Sequence, residues 1–275
     1  MLFSRSPPQY LYKYVRPETA LKILQSQRVS FSSFRILNDP FETMAALREA
    51  PDRGDVKWAW AGLKTDISES ADELYRQLQE DERTRNDLYE QVRQFLKCLG
   101  VLCLTESYNN LLMWAHYADS HKGAVLRFDT QRLKGVQECR PGLEALRGCS
   151  IFELAQVRYR SHPPRAHSKG LSAMLETILL RKSKEWAYER EWRICRYLAN
   201  PSTNGVNLVE LDSGALNGVY IGAQVAGACK LALEDTVQEL RRTTAAEVFE
   251  MQLHRDFYEL RVAQRITRNG RTHSG

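Results

Sequence analysis

Apolar positions recur along this chain with two periods, and the changes between them mark out its elements. Tyr10 to Val15 is aromatic and β-prone. Pro17-Glu18 then opens a helix, with proline at its first position, an acid in its first turn and an apolar stripe of Ala20, Leu21 and Leu24. Val29 to Phe34 reads as a second strand, and Asn38-Asp39-Pro40 breaks the chain because a residue before proline disfavours helix. Ser68 to Leu99 is highly charged yet carries Leu74, Leu78, Leu88, Val92, Phe95 and Leu96, the spacing of one long or two shorter amphipathic surface helices. Gly100 to Thr105 predicts a strand, Leu111 to Ala118 a short helix after two asparagines suited to capping, and Gly123 to Phe128 another strand.

Downstream, Arg132 to Cys149 is rich in turn formers, Phe152 to Tyr159 alternates like a strand, and Ser161 to Lys169 holds the prolines and histidines of a loop. Ser172 to Lys182 reads as a helix. Glu191 to Tyr197, Val206 to Leu211, Val219 to Ile221, Val248 to Leu253 and Tyr258 to Val262 are strand segments, with a helix from Lys230 to Arg241. No internal repeat and no long linker divides the chain. The pattern predicts one α+β domain over 1–267, with mixed or antiparallel central sheets and flanking helices. Within it, 68–98 is a charged helical insertion, and 268–275 reads as a flexible tail.

Composition narrows the class. With 43% hydrophobic and 27% charged residues, the chain is far from disordered or fibrous proteins. No run approaches the roughly 18 apolar residues of a membrane span, and Met1 to Tyr10 has no apolar core of the signal-peptide kind, so the expectation is a cytoplasmic protein without a membrane partner. Cys98, Cys103, Cys139, Cys149, Cys195 and Cys229 include no Cys-x-x-Cys pair. His116 and His121 diverge on a helix, and His162 and His167 bracket two prolines, so no metal site is expected. The net charge of +5 allows an anionic ligand or a nucleic acid without demanding either.

Four clusters mix aromatic, acidic and basic residues. Between Glu189 and Ile194, alternation sets Glu189, Glu191 and Arg193 on one strand face and Trp192 and Ile194 on the other. Such a strand packs one way and presents charge the other. It is either an exposed Glu and Arg ladder or a rigid mount for a carboxylate that stabilises a developing cation. Trp114 and Tyr117 share a helical face, and His116 is either a hydrogen-bonded core histidine or a site group. Ser32, Arg35, Asn38, Asp39, Phe41 and Glu42 form a strand-to-turn segment, readable as an Asx turn or as a binding loop. Tyr12 and Tyr14 lie on one strand face with Lys13 opposite, as core aromatics or as ligand contacts.

Taken together, Leu11-Tyr12-Lys13-Tyr14, Phe31-Ser32-Ser33 with Asn38-Asp39-Pro40-Phe41-Glu42, Met113-Trp114-Ala115-His116-Tyr117-Ala118 with His121-Lys122-Gly123, and Lys184-Glu185-Trp186 with Tyr188 to Ile194 resemble one bacterial family, domain-of-unknown-function family 2971. The resemblance runs from about Tyr10 to Gly222 and keeps the family's motif order. More remotely, the layout is similar to ADP-ribosyltransferases, especially DNA-modifying toxins. That likeness implies an ADP-ribosyltransferase-like fold and NAD as substrate. Glu191 stands at the catalytic glutamate, Arg35 near the toxin arginine, and Tyr12 to Tyr14 at the first-strand nicotinamide motif, where histidine or arginine is usual. Glu189 is the alternative working acid.

What the resemblance implies is a toxin or antiphage effector modifying a nucleic acid or a protein, with a protein partner in a defence system. Its catalytic set would be Glu191, Glu189, Arg35 and His116. Nucleotide binding would fall to Tyr12, Lys13, Tyr14 and Ser32, to Asn38, Asp39, Phe41 and Glu42, and to Trp114, Tyr117 and Arg193. The rival readings are a nucleic-acid hydrolase using Glu189, Glu191 and His116, and a non-catalytic module that binds a nucleotide or partner through the same cleft.

Overall fold

A computed structural model describes residues 5–34, 37–39, 41, 76–77, 79–133, 153–162, 171–198, 205–266 and 272–273. The chain opens with β1 (Tyr10–Val15), α1 (Pro17–Ser26) and β2 (Arg28–Ser33). Pro17 at the first position and Glu18 in the first turn start α1. Gln27 ends it in the left-handed region (φ 53), its N–H donating to the Ile23 carbonyl. The middle comprises α2 (Glu82–Lys97), β3 (Leu99–Thr105), α3 (Leu111–Tyr117) and β4 (Ala124–Asp129). Next come β5 (Ala155–Gln156), β6 (Arg158–Arg160), α4 (Leu171–Leu179), β7 (Arg181–Ser183) and β8 (Glu191–Tyr197). The rest is β9 (Val206–Glu210), β10 (Leu216–Ile221), α5 (Gly227–Thr243), β11 (Glu247–Leu253), β12 (Leu260–Ile266) and β13 (Thr272–His273). No helix among the described residues is long and apolar enough to cross a membrane.

The architecture is α+β, as the pattern predicts. Eleven strands form one sheet, running β13-β12-β11-β10-β4-β1-β3-β2-β9, with β8 on the other edge of β3 and β5 beside β8. Among the described residues, only β10 and β11 pair in parallel within it. A separate parallel pair, β6 with β7, stands apart. Alternation assigns the faces. Leu11 and Val15 of β1, Leu102 and Leu104 of β3, and Trp192 and Ile194 of β8 pack with α1 and α5. On the other face lie two clusters, one under α2 and α4 around Val101, Leu175 and Cys195, the other under α3 around Tyr14, Trp114 and Tyr220.

One topological detail makes room for a site. Strands β1 and β2 compete for the same edge of β3: β2 pairs at Gly100 and Val101, β1 only at Thr105. Among the described residues, Leu102, Cys103 and Leu104 have no ladder partner on that edge, while β8 pairs along the whole of β3 on the other. The sheet therefore forks between the two helical clusters. Lys13 reaches into the fork, its Nζ donating to the Cys103 carbonyl at 3.2 Å, so a side chain replaces a missing strand partner.

The turn after α3 is bolted to the sheet. Asp119, Ser120 and His121 are all left-handed (φ 47, 52 and 67), and Gln224 N–H donates to the His121 carbonyl at 3.0 Å. Gly123, just before β4, runs so close to β1 that an added Cβ would lie 2.1 Å from the Val15 carbonyl oxygen. Backbone cannot give way as a flexible side chain can. Gly123→Ala is expected to cost about 2–3 kcal/mol through this overpacking, read as a lower urea midpoint with unchanged m-value. An unchanged midpoint would show that the crossing is loose.

Several expectations need correction. The segment Phe152 to Tyr159 is not one strand: the described part is split between β5, on β8, and β6, on β7. Ser172 to Lys182 is helical only to Leu179, and Lys182 sits in β7. Glu189 ends a 3-10 turn over Lys184–Glu189 rather than lying in β8. Thr272 and His273 of the expected tail pair with β12. Of the Ser68 to Leu99 segment, 76–77, 79–80 and 82–97 are helical, Leu99 already belongs to β3, and the beginning lies outside the described residues.

Candidate functional site

Above the fork is a cavity of about 220 Å³. Lys13 and Tyr14 line it from β1, Ser32 from β2, Cys103 and Thr105 from β3, and Met113 and Tyr117 from α3. Its charged floor is Lys182, Glu189, Glu191 and Arg193. These four side chains are almost wholly out of water: Lys182 is 7% exposed, Glu189 3%, Glu191 5% and Arg193 0%. Glu191 and Arg193, on the charged face of β8, are thus buried, which excludes the exposed ladder and leaves the rigid mount of the two alternatives. The reason is that each charge has a partner.

The pairing is specific. Arg193 holds Glu191 in a two-pronged grip, Nε to Oε1 at 2.7 Å and Nη2 to Oε2 at 2.9 Å, while its Nη1 donates to the Leu179 carbonyl at 2.8 Å. Lys182 Nζ donates to Glu189 Oε2 at 2.7 Å and stands 3.5 Å from Glu191 Oε2, so one ammonium bridges both acids. The Tyr117 hydroxyl donates to Glu189 Oε1 at 2.5 Å and accepts from Asn38 Nδ2. Arg190, between the acids, is left-handed (φ 44), and this kink turns two carboxylates from different elements onto one cation. Tyr159 OH accepts from the Glu191 backbone N–H at 2.8 Å and so ties the small sheet to β8.

The two acids are driven apart electrostatically. Burial pushes Glu191 up, but the charge and hydrogen bond of Arg193, the charge of Lys182 and a hydrogen bond from the Cys103 thiol together outweigh it and bring the pKa down to about 2. Glu189 goes the other way: burial raises it above the ordinary carboxylate value, only partly offset by Lys182, and Glu191 adds like-charge repulsion. Burial lowers Lys13 and raises Cys103, Tyr14 and Tyr117. At neutral pH the described floor therefore holds a locked anion beside a carboxyl that keeps its proton more readily.

Of the residues singled out in the sequence, Tyr12, Lys13, Tyr14, Ser32, Asn38, Tyr117, Glu189, Glu191 and Arg193 meet at this cavity. Trp114 does not line it: fully buried, the indole stands edge-on to Tyr14 at 5.4 Å and stacks with His121. His116 projects from the exposed side of α3, since Met113 and Trp114 take the inward positions. Asp39 is buried in an Asx turn, accepting from Phe41 N–H at 2.9 Å, and Phe41 is 61% exposed; neither lines the cavity. Arg35 and Glu42 lie outside the described residues. The sequence reading missed Lys182, since a lysine closing a helix is the usual complement to the helix dipole. It also missed Cys103 and Thr105, hidden in an apolar strand.

The structure also gives Asn110 its reasons. Its side chain caps α3 by accepting from Met113 N–H, its Nδ2 donates to the Tyr188 carbonyl, and its N–H donates to Tyr14 OH. One residue thus sets α3, β1 and the turn before Glu189 relative to each other.

Residues 113–194 match the model of a family described as a protein of unknown function, DUF2971. The DUF2971 match runs from Met113 to Ile194 and so takes in Tyr117 and the whole charged floor, Lys182, Glu189, Glu191 and Arg193. The β1 and β2 side of the cavity lies before it. No curated protein and no solved structure matches the chain.

Proposed function

We propose that the forked-sheet cavity breaks the N-glycosidic bond of a nicotinamide dinucleotide and transfers the ADP-ribosyl group to an acceptor, as ADP-ribosyltransferases do. The observation that carries this reading is the Glu189 and Glu191 pair, two carboxyls held by the same buried Lys182 whose surroundings push them in opposite directions. Two carboxyls tuned apart are the usual equipment for glycosidic chemistry through a cationic sugar. The aromatic wall of Tyr12, Tyr14 and Tyr117 suits a flat ring, and Lys13 suits a carbonyl or phosphate oxygen. At about 220 Å³ the cavity accepts the reacting end of a dinucleotide, and the remainder would lie along its mouth.

In this scheme the bond between ribose C1′ and the nicotinamide nitrogen breaks, and nicotinamide leaves with the bonding pair. Glu191, anionic throughout the working pH range and fixed by Arg193, faces the positive charge left on the ribose. The acceptor attacks C1′ and gives its proton to Glu189, which its raised pKa equips as a base. Arg193 acts through Glu191 and is a positioning residue. The hydrolase reading with His116 has less support, because His116 is exposed and does not line the cavity that holds both acids.

The test is nicotinamide release from NAD by purified protein, with DNA, RNA or lysate as acceptor, across pH. Because Glu189 must be ionised to take a proton and is raised by burial, release is expected to climb with pH through a point above the ordinary glutamate range. A flat profile, or a limb at the ordinary glutamate value, would remove Glu189 from that role. Absence of both release and NAD binding under all acceptors would overturn the reading.

A further inference from the structure

The two-stranded sheet β6 with β7 has two unlike faces. Tyr159 and Lys182 point inward, to the Glu191 backbone and to the acids. Arg158 and Arg181 are paired across the strands, and Arg160 follows Arg158 by two residues, so strand alternation puts all three guanidiniums on the opposite face. None of the three is buried, and Arg160 is exposed. Among the described residues no carboxylate pairs with any of them, and the one hydrogen bond is Arg160 Nη1 to the neighbouring Tyr159 carbonyl at 3.1 Å. They are close enough to repel: after burial, the charges of Arg160 and Arg158 are what lower Arg181. The stretch Leu154 to Leu175, between Glu153 and Glu176, contains neither aspartate nor glutamate while adding Arg165 and Lys169.

Like charges held together without counter-ions mark a surface whose partner is an anion with repeated charge. We propose that the outer face of β6 and β7 binds the phosphate backbone of a single nucleic-acid strand and delivers it as the acceptor to the neighbouring cavity, a role that rests on the transferase reading above. Strand geometry sets the backbones of Arg158 and Arg181 about 4.8 Å apart across the pair and those of Arg158 and Arg160 about 6.6 Å apart along β6, and from these mounts each guanidinium can engage a phosphate oxygen pair. An acidic protein partner fits less well. Stable protein interfaces centre on apolar anchors, and the large exposed hydrophobic side chains, such as Phe257, Tyr258 and Leu208, lie on other elements.

The experiment measures fluorescence polarisation of labelled mixed-sequence DNA and RNA single strands at several salt concentrations. It compares the wild type, the Arg158→Ser/Arg160→Ser/Arg181→Ser variant and the single Arg160→Glu variant, each checked for folding by circular dichroism. Wild type is expected to bind, with affinity falling as salt rises. The triple variant should bind about tenfold or more weakly, with a log–log salt slope shallower by about 2, the release expected for three contacts. Arg160→Glu, at the exposed position, gives the same direction should the triple variant not fold. Nicotinamide release without acceptor should persist in Arg160→Glu, which leaves the cavity untouched. Equal binding by wild type and variants, or polyglutamate competing as well as oligonucleotide, would overturn the proposal. Oligonucleotide binding by a wild type that never turns over NAD would keep the surface and discard the transferase reading.

Discussion

Glu191→Gln is expected to destabilise the protein by about 3–5 kcal/mol, a larger effect than its conservative size suggests. The substitution removes the carboxylate charge from a fully buried guanidinium that has both prongs on it, so Arg193 loses its two-pronged anionic partner in a site shielded from water. Linkage gives the same sign. The Glu191 pKa is about 2 folded against 4.5 for the free side chain, so the ionised group contributes stability fully present above pH about 4.5 and lost as pH falls toward 2. That contribution is about 3 kcal/mol. The gap between variant and wild type should therefore narrow in acid, where Glu191 itself becomes neutral. Chemical denaturation at neutral pH and at pH near 3 measures both quantities; a variant as stable as wild type at neutral pH would show that Arg193 finds another counter-charge.

Glu189→Gln should behave in the opposite way. Its amide oxygen can still accept from Lys182 while its NH2 donates to a Tyr117 hydroxyl turned to accept, and the raised pKa of the acid means that its ionised form is already disfavoured in the folded state. Stability should change little at neutral pH. Turnover should not survive: removal of the proton acceptor is expected to lower NAD turnover by about 100- to 10,000-fold, the usual worth of a positioned general base. Nicotinamide release alongside a melting curve separates the two effects. A stable Glu189→Gln protein with wild-type release would transfer the working role to another group. The contrast between the variants matters, because loss of activity in Glu191→Gln alone would report a damaged fold as readily as a missing catalytic group.

Much of the fold was legible where periodicity and capping agreed. The first strand, helix and strand, the short helix after Asn109-Asn110, and the strands at Gly100, Gly123 and Glu191 follow from local signals, and Asn110 performs the capping its position suggests. The charged floor was legible only as a cluster. Alternation in Glu189 to Ile194 shows that two faces differ, but not which is wet, because the partners that permit burial are distant in sequence: Tyr117 on α3, Tyr159 on β6 and Lys182 on β7. The break at Val157 was illegible for a similar reason. Its N–H donates to the Glu191 carbonyl and the next residue's to the Leu180 carbonyl, so tertiary pairing divides what local pattern would join.

The fork in the sheet also sets the width of what can enter. An edge strand at the rim of a sheet invites a polypeptide to extend the ladder, whereas the open stretch of β3 is only Leu102 to Leu104, about 10 Å of strand closed at both ends by β2 and β1. A gap of three residues is shorter than an ordinary strand, so a peptide has little ladder to extend there. If the transferase reading holds, selectivity against peptides would be written into the order of the strands, upstream of any choice of side chain.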